Sequence, residues 1–196
     1  MSPACNSQLR FVPAAAYSGG TAPSTVPAND NPASAFVIGV SSDPCTTVCG
    51  NVYNSKNATA TPAITACSAV TPGNADDDVW FSFVAPASGE VIITTDIAGA
   101  TLTDTEIAVY DSTGVTCSDL STLGTALGCD QDGGTTINFN SFVNVSGLTA
   151  GNTYYVQVDM WGGTPNGSFG IEVAEVLSSD SFDNNSFVAY PNPVKD

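Results

Sequence analysis

The chain has 196 residues, of which 19 are Asp or Glu and 3 are Lys or Arg, so its formal net charge at pH 7 is −16. Such a charge repels nucleic acid and anionic membrane surfaces, which excludes a phosphate-binding role. Since 42% of the residues are hydrophobic and only 11% are charged, an acidic disordered chain is excluded as well. The many Ser, Thr, Gly, Ala and Val residues indicate one substantial β domain with tails.

The first quarter of the chain is irregular. Residues 1–27 show no sustained hydrophobic period and are predicted to be a linker or the end of a preceding module. The main domain is predicted to span residues 28–176, with a first strand at residues 36–40. The Thr-, Ala- and Ser-rich stretch 41–76 that follows is expected to be loosely structured and held by its cysteines.

Beyond residue 76 the strand pattern is clear. A strand at residues 79–84 is predicted to form a hairpin with a strand at 90–95 through the turn 86–89. Four further strands are predicted at residues 105–110, 137–142, 152–159 and 167–173. Short strands separated by Gly, Pro, Asn and Asp are typical of an all-β, antiparallel, jelly-roll-like β-sandwich. No segment keeps a 3.6-residue period, so almost no helix is expected.

Six cysteines are typical of an oxidising compartment. The sequence alone leaves about fifteen pairings open. Cys117 and Cys129 flank one short loop and are the favoured disulfide, and one further pair is expected among Cys45, Cys49 and Cys67. A zinc site is disfavoured because the chain has no His and no second close Cys pair.

The last ten residues, 187–196, read Phe-Val-Ala-Tyr-Pro-Asn-Pro-Val-Lys-Asp. They resemble the start of the type A C-terminal sorting domain of Bacteroidetes proteins exported by type IX secretion. This resemblance implies an extracellular or outer-surface protein with the export machinery as a partner. Only the start of such a tag is present. Residues 177–186 are rich in Ser, Asp and Asn and are interpreted as the linker that leads to it. The alternative is a Pro-rich tail with turn chemistry alone. No stretch reaches transmembrane length, so membrane insertion is not expected.

A second resemblance covers roughly residues 28–175. Six segments in the right order, 78–86, 89–94, 104–111, 128–134, 148–158 and 167–171, are similar to the bacterial pre-peptidase C-terminal domain. That family is a small jelly-roll-like sandwich that accompanies secreted peptidases, other hydrolases and adhesins. The resemblance therefore implies a non-catalytic accessory or attachment module that binds a polysaccharide or protein surface.

The sequence also argues against an enzyme. The chain has no His, which excludes Ser-His-Asp and Cys-His arrangements within it. No Gly-rich phosphate loop carries a Lys. Aspartates are abundant, but they lie in loops without an obvious apolar environment that would raise their pKa.

Calcium is the most credible ligand. Asp104, Asp111, Asp130 and Asp132 fall just before or after predicted strands, and calcium prefers carboxylate and carbonyl oxygens. The four are therefore the predicted metal ligands, although turn formation alone explains Asp and Gly at such positions.

Trp161 follows a predicted strand and precedes a Gly pair, where a tryptophan can stack on a sugar ring or form a protein contact. It is the predicted ligand-binding residue, with a folded-back core position as the alternative. A rival hypothesis makes the chain one structural repeat of an adhesin or filament. In that hypothesis residues 1–27 add a strand to a neighbouring module and the protein self-assembles.

Overall fold

The computed structural model describes residues 26–41, 52–61, 77–117, 119–162 and 167–177. Strands dominate this part of the chain, and its only helical elements are two 3₁₀ turns, Pro32–Ser34 and Leu120–Leu123. The strands are β1 (Phe36–Val37), β2 (Val40–Ser41), β3 (Val79–Val84), β4 (Val91–Thr94), β5 (Thr105–Asp111), β6 (Gly128–Asp130), β7 (Phe142–Val145), β8 (Thr153–Met160) and β9 (Glu172–Glu175). Within these described residues, no helix has the length and apolar character needed to cross a membrane.

The strands form two sheets. The five-stranded sheet has the order β1-β3-β8-β5-β6, and the four-stranded sheet has the order β2-β9-β4-β7. The all-β sandwich is thus confirmed. However, β1 pairs with β3 and β2 with β9 in parallel, so the sheets are mixed rather than purely antiparallel. One strand was expected over residues 36–40, but this segment supplies a short strand to each sheet and changes sheet at Ile38–Gly39.

The main hydrophobic core lies between the sheets. Alternate residues of β3, Val79, Phe81 and Phe83, are fully buried there. Val91 and Ile93 of β4 face them from the other sheet, as the two-residue period of a strand requires.

A second, smaller core covers the outer face of the five-stranded sheet, which is the face turned away from the other sheet. Trp80, Ala108, Tyr110 and Tyr155 lie in it, packed beneath loop residues. Trp80 is fully buried. The five-stranded sheet is therefore buried on both faces, and polar residues on its outer face are buried too.

The predicted hairpin of β3 and β4 is wrong. β3 pairs with β1 and β8, whereas β4 pairs with β7 and β9 in the other sheet. The turn itself is present, since the Gly89 amide donates to the Pro86 carbonyl at 3.1 Å. It carries the chain from one sheet to the other, because both edges of β3 are already paired, one with β1 and the other with β8.

Two other strands start later than predicted. β7 begins at Phe142 instead of residue 137, because the segment before it wraps around the Asp96 carboxylate instead of pairing. β9 begins at Glu172, and the preceding Phe169 forms an isolated bridge with Tyr53.

Several predictions fall on residues outside the described part of the chain. These are the linker up to residue 25, the cysteines Cys5, Cys45, Cys49 and Cys67, and the sorting-domain resemblance at 187–196. The domain boundaries and the strand-addition hypothesis therefore stay predictions.

Candidate functional site

Two exposed aromatic residues flank a carboxylate at one end of the five-stranded sheet. Thr105 of β5 is paired with Met160 of β8, and continuing this register by one residue places Asp104 beside Trp161. On its other side Asp104 forms a bridge with Phe139. Trp161 is 43% exposed and Phe139 is 57% exposed, so Trp161 does not fold back into the core. We call Trp161, Asp104 and Phe139 the aromatic end.

The loop that carries Phe139 is held by Asp96. One carboxylate oxygen accepts the amides of Thr135 and Thr136 at 2.7 and 2.8 Å, and the other accepts the amide of Ile137 at 2.6 Å. Partial burial acts to raise the pKa of Asp96, but these backbone hydrogen bonds outweigh it and hold the pKa below its usual value. The loop is therefore fixed by a charged residue that lies just after β4.

Buried hydroxyl groups join the two sheets at the same end. Thr95 Oγ1 and Thr105 Oγ1 lie 2.5 Å apart, and the Ser141 amide is 3.1 Å from each of them. Ser141 Oγ lies 2.5 Å from the Thr105 carbonyl oxygen. All three residues are fully or almost fully buried, so this network fixes the base of the aromatic end.

A row of carboxylates crosses the outer face just beneath this end. Glu106 of β5 lies directly opposite Asp159 of β8, and the two are 3% and 2% exposed. Burial raises the pKa of Glu106, and the charges of Asp104 and Asp132 raise it further. Burial also raises the pKa of Asp159 to about 7, with Asp78 and Glu106 adding to the rise against hydrogen bonds from two backbone amides. Several carboxylates therefore lie close together on the covered outer face of the sheet, where their charges raise the pKa values of Glu106 and Asp159.

Asp78 continues this row at the start of β3. Its carboxylate accepts the amide and the hydroxyl of Thr61 at 2.9 and 2.5 Å, and Gln157 Nε2 at 3.2 Å. Burial nevertheless raises the pKa of Asp78 to about 6. Gln157 in turn accepts the Tyr110 hydroxyl at 3.2 Å. Asp78 is therefore a buried anchor for the 52–61 segment.

The four aspartates predicted as calcium ligands do not gather in one place. Asp104 and Asp132 are close enough for the charge of Asp132 to raise the pKa of Asp104 after the larger effect of burial. Asp130 uses one carboxylate oxygen to accept the amides of Gly133 and Phe142, both at 2.8 Å. Asp111 is at the opposite end of β5, roughly 20 Å away along the strand, and accepts the Thr113 amide as a turn former.

Cys117 and Cys129 lie near the outer-face core. Cys129 is opposite Ala108 in the β5–β6 pair, and Cys117 Sγ is 3.7 Å from the Tyr155 hydroxyl. Neither is a free thiol. Their pairing with each other stays a prediction.

Comparison with known proteins gives one match. A model of the family described as galactose binding domain-like, a type IX secretion-associated group, matches residues 28–166, which is more than half of the chain. The chain belongs to this family. Searches of curated proteins and of solved structures found no match.

The family places the chain in a secreted or cell-surface setting and fits a non-catalytic accessory module. The match thereby confirms the general prediction of a β domain associated with type IX secretion. The match supports a galactose binding domain-like module rather than a pre-peptidase C-terminal domain, and it does not reach residues 187–196.

Sequence reasoning missed Phe139, Glu106 and Asp159 as site residues. Glu106 and Asp159 occupy polar positions of alternating strands, a pattern that normally marks a solvated face. The aromatic residues of the same face could have indicated this burial. By the two-residue alternation of their strands, Trp80, Tyr110 and Tyr155 lie on the same face of the sheet as these carboxylates. A face with three large aromatic residues is a covered one.

Proposed function

We propose that this chain is a non-catalytic attachment module of a secreted or cell-surface protein, and that it binds a neutral carbohydrate at the aromatic end. The observation that carries the proposal is the pair of exposed aromatic residues, Trp161 and Phe139, on either side of Asp104. Membership of a galactose binding domain-like family supports the same substrate class.

The chemistry of the aromatic end suits a sugar. Aromatic rings pack against the apolar C–H face of a pyranose, and a carboxylate accepts hydrogen bonds from its hydroxyl groups. Asp104 is half-buried, its backbone forms a bridge with Phe139, and it directly precedes the β5–β8 pairing, so its position is fixed before a ligand arrives. The net charge of −16 disfavours sulfated or uronic-acid polymers, which leaves neutral glycans.

Catalysis does not fit the carboxylates of this chain. An acid–base pair for glycoside hydrolysis needs two carboxyl groups that reach the substrate. The carboxyl groups with strongly raised pKa values, Asp78 and Asp159, are 0% and 2% exposed beneath the outer-face loops. The accessible Asp104 has no comparable partner among the residues of the aromatic end.

Export and covalent stabilisation belong to the same proposal. The module leaves the cell by type IX secretion, directed by the sorting-domain segment at 187–196. A disulfide between Cys117 and Cys129 closes the loop over the outer-face core, which suits an oxidising exterior. Protein surfaces are a further class of ligand for the same aromatic residues.

The test is retention on immobilised neutral polysaccharides, galactans included, followed by calorimetric titration with soluble oligosaccharides. Trp161→Ala and Phe139→Ala should each weaken binding about tenfold or more, because each removes a central aromatic contact. Val84→Ala is the matched control, since Val84 is 50% exposed at the far end of β3. Equal retention of wild type and both aromatic variants would show that the aromatic end is not the binding surface.

A further inference from the structure

In the described part of the chain, three buried oxygens in one cross-strand row on the outer face have no hydrogen-bond partner. They are Asp159 Oδ2, Glu106 Oε2 and Gln131 Oε1. Glu106 is opposite Asp159, and Ile107 is opposite Asp130, so continuing the second register by one residue places Gln131 on the other side of Glu106. Directly opposed residues of antiparallel strands project to the same face, so the three side chains are neighbours in one row across that face.

Among the described residues, no positive charge acts on the two carboxylates of this row. Glu106 and Asp159 are 3% and 2% exposed, and a buried carboxylate without a partner is strongly unfavourable. Lys56 is the one basic residue within the described parts of the chain. The charges that act on the two carboxylates are all negative. They come from Asp78, Asp104 and Asp132, and from Glu106 itself, which acts on Asp159. A folded protein keeps such a group either by holding a proton there or by binding a cation.

The donor set selects the kind of cation. Two carboxylates and one amide carbonyl are hard oxygen ligands, and no nitrogen or sulfur ligand belongs to the row. Calcium takes six to eight oxygens and accepts amide carbonyls, main-chain carbonyls and water among them. In the described ranges no group of three or more His, Cys, Asp or Glu could hold a metal ion, so the proposed set has two carboxylates and takes its third side-chain oxygen from the amide of Gln131.

We propose that Asp159, Glu106 and Gln131 bind a calcium ion that ties the end of β8 to β5 and to the loop after β6. The ligands differ from those the loop aspartates suggested, because Asp111 is at the other end of β5 and Asp130 is occupied by two amides. The ion offsets the buried charge and stiffens the loop that carries Phe139. It does not depend on the carbohydrate proposal.

Thermal unfolding after EDTA dialysis at pH 7.5, followed by addition of CaCl₂ or MgCl₂, tests this site. In the wild type, calcium at about a hundredfold excess over its Kd should raise Tm by about 5–10 °C. Magnesium should raise it less, since it demands near-octahedral geometry and dehydrates reluctantly. Terbium, an ion of similar size, should bind with one-to-one stoichiometry and be displaced by calcium.

Variants separate this site from general cation effects on an acidic chain. Glu106→Gln should lose most of the calcium shift while its Tm in EDTA equals or exceeds that of the wild type, which shows that it folds. Gln131→Ala, which keeps both carboxylates, should weaken calcium binding on the order of tenfold. Glu90→Gln, on the other sheet, should keep the full shift. No calcium shift in the wild type, an equal shift in Glu106→Gln, or a larger shift with magnesium would overturn the proposal.

Discussion

Glu106 and Asp159 lie directly opposite each other on β5 and β8, and each has a buried carboxylate oxygen with no hydrogen-bond partner among the residues that the structure describes. They are close to the aromatic end, where Asp104 and Trp161 continue the same two strands. The buried carboxylates of the outer face and the exposed aromatic residues therefore lie at one end of the sandwich. Substitutions in either group should alter the structure or stability of the other.

The first prediction concerns stability without divalent cations. In EDTA at pH 7.5, Glu106→Gln should raise the free energy of unfolding by about 1–2 kcal/mol, because it replaces a buried unpaired charge with an amide that can donate to Asp159. Urea unfolding followed by far-UV circular dichroism measures this, with Glu90→Gln as the control expected near zero. A destabilised Glu106→Gln variant would mean that the ionised carboxylate has a partner in the fold.

The second prediction concerns pH. Burial raises the pKa of Asp78 from 3.8 to about 6, so between these pH values the folded state binds more protons than the unfolded state. Its contribution to stability is therefore fully present below pH 3.8 and is lost as pH rises through about 6. Unfolding free energies of the wild type in EDTA should fall across this window, and Asp78→Asn should flatten the fall. A wild-type stability that rises across the window, and is unchanged in shape by Asp78→Asn, would contradict this assignment.

The third prediction concerns the loop of Phe139. Asp96→Asn should cost about 1–3 kcal/mol, because the amide group cannot accept all three backbone amides that the carboxylate accepts. Hydrogen exchange should accelerate at Thr135, Thr136 and Ile137. Asp111→Asn, which affects a single turn hydrogen bond at the opposite end of β5, should have a smaller effect. Unchanged exchange at the three amides would show that another contact holds this loop.

The fourth prediction concerns the cysteines. Non-reducing proteolysis and mass spectrometry should recover a peptide that links Cys117 to Cys129. Replacing both by Ser should cost about 3 kcal/mol, the value expected for closing a loop of this length. A linkage from either residue to Cys45, Cys49 or Cys67 would refute the proposed pairing.

Much of the fold could be predicted from the sequence. β3, β5 and β8 carry strong alternation or continuous apolar runs, and their positions agree with prediction within one residue at each end. Sheet membership could not be predicted, because a turn such as 86–89 joins two strands equally well within one sheet or between two. The start of β7 was missed because its delay depends on Asp96, a residue that follows β4 and lies 46 positions before Phe142.

The candidate site was less accessible to prediction. Trp161 and Asp104 were identified as functional residues, but their proximity follows from the β5–β8 register, which local patterns do not give. Glu106 and Asp159 were overlooked because an alternating strand predicts a solvated polar face. Their burial depends on residues far away in sequence, such as Asp77, whose amide donates to Asp159 Oδ1 at 3.4 Å, and local patterns do not give such contacts.

The most direct test of carbohydrate binding at the aromatic end uses the two tryptophans of the chain, Trp80 and Trp161. Trp80 is fully buried and Trp161 is 43% exposed, so quenching of fluorescence by neutral acrylamide reports mainly on Trp161. We expect galactose-containing oligosaccharides to protect this fluorescence from quenching in a saturable manner, and Trp161→Phe to abolish the protected signal. Unprotected fluorescence at millimolar ligand, in a chain that circular dichroism shows to be folded, would contradict the proposed binding surface.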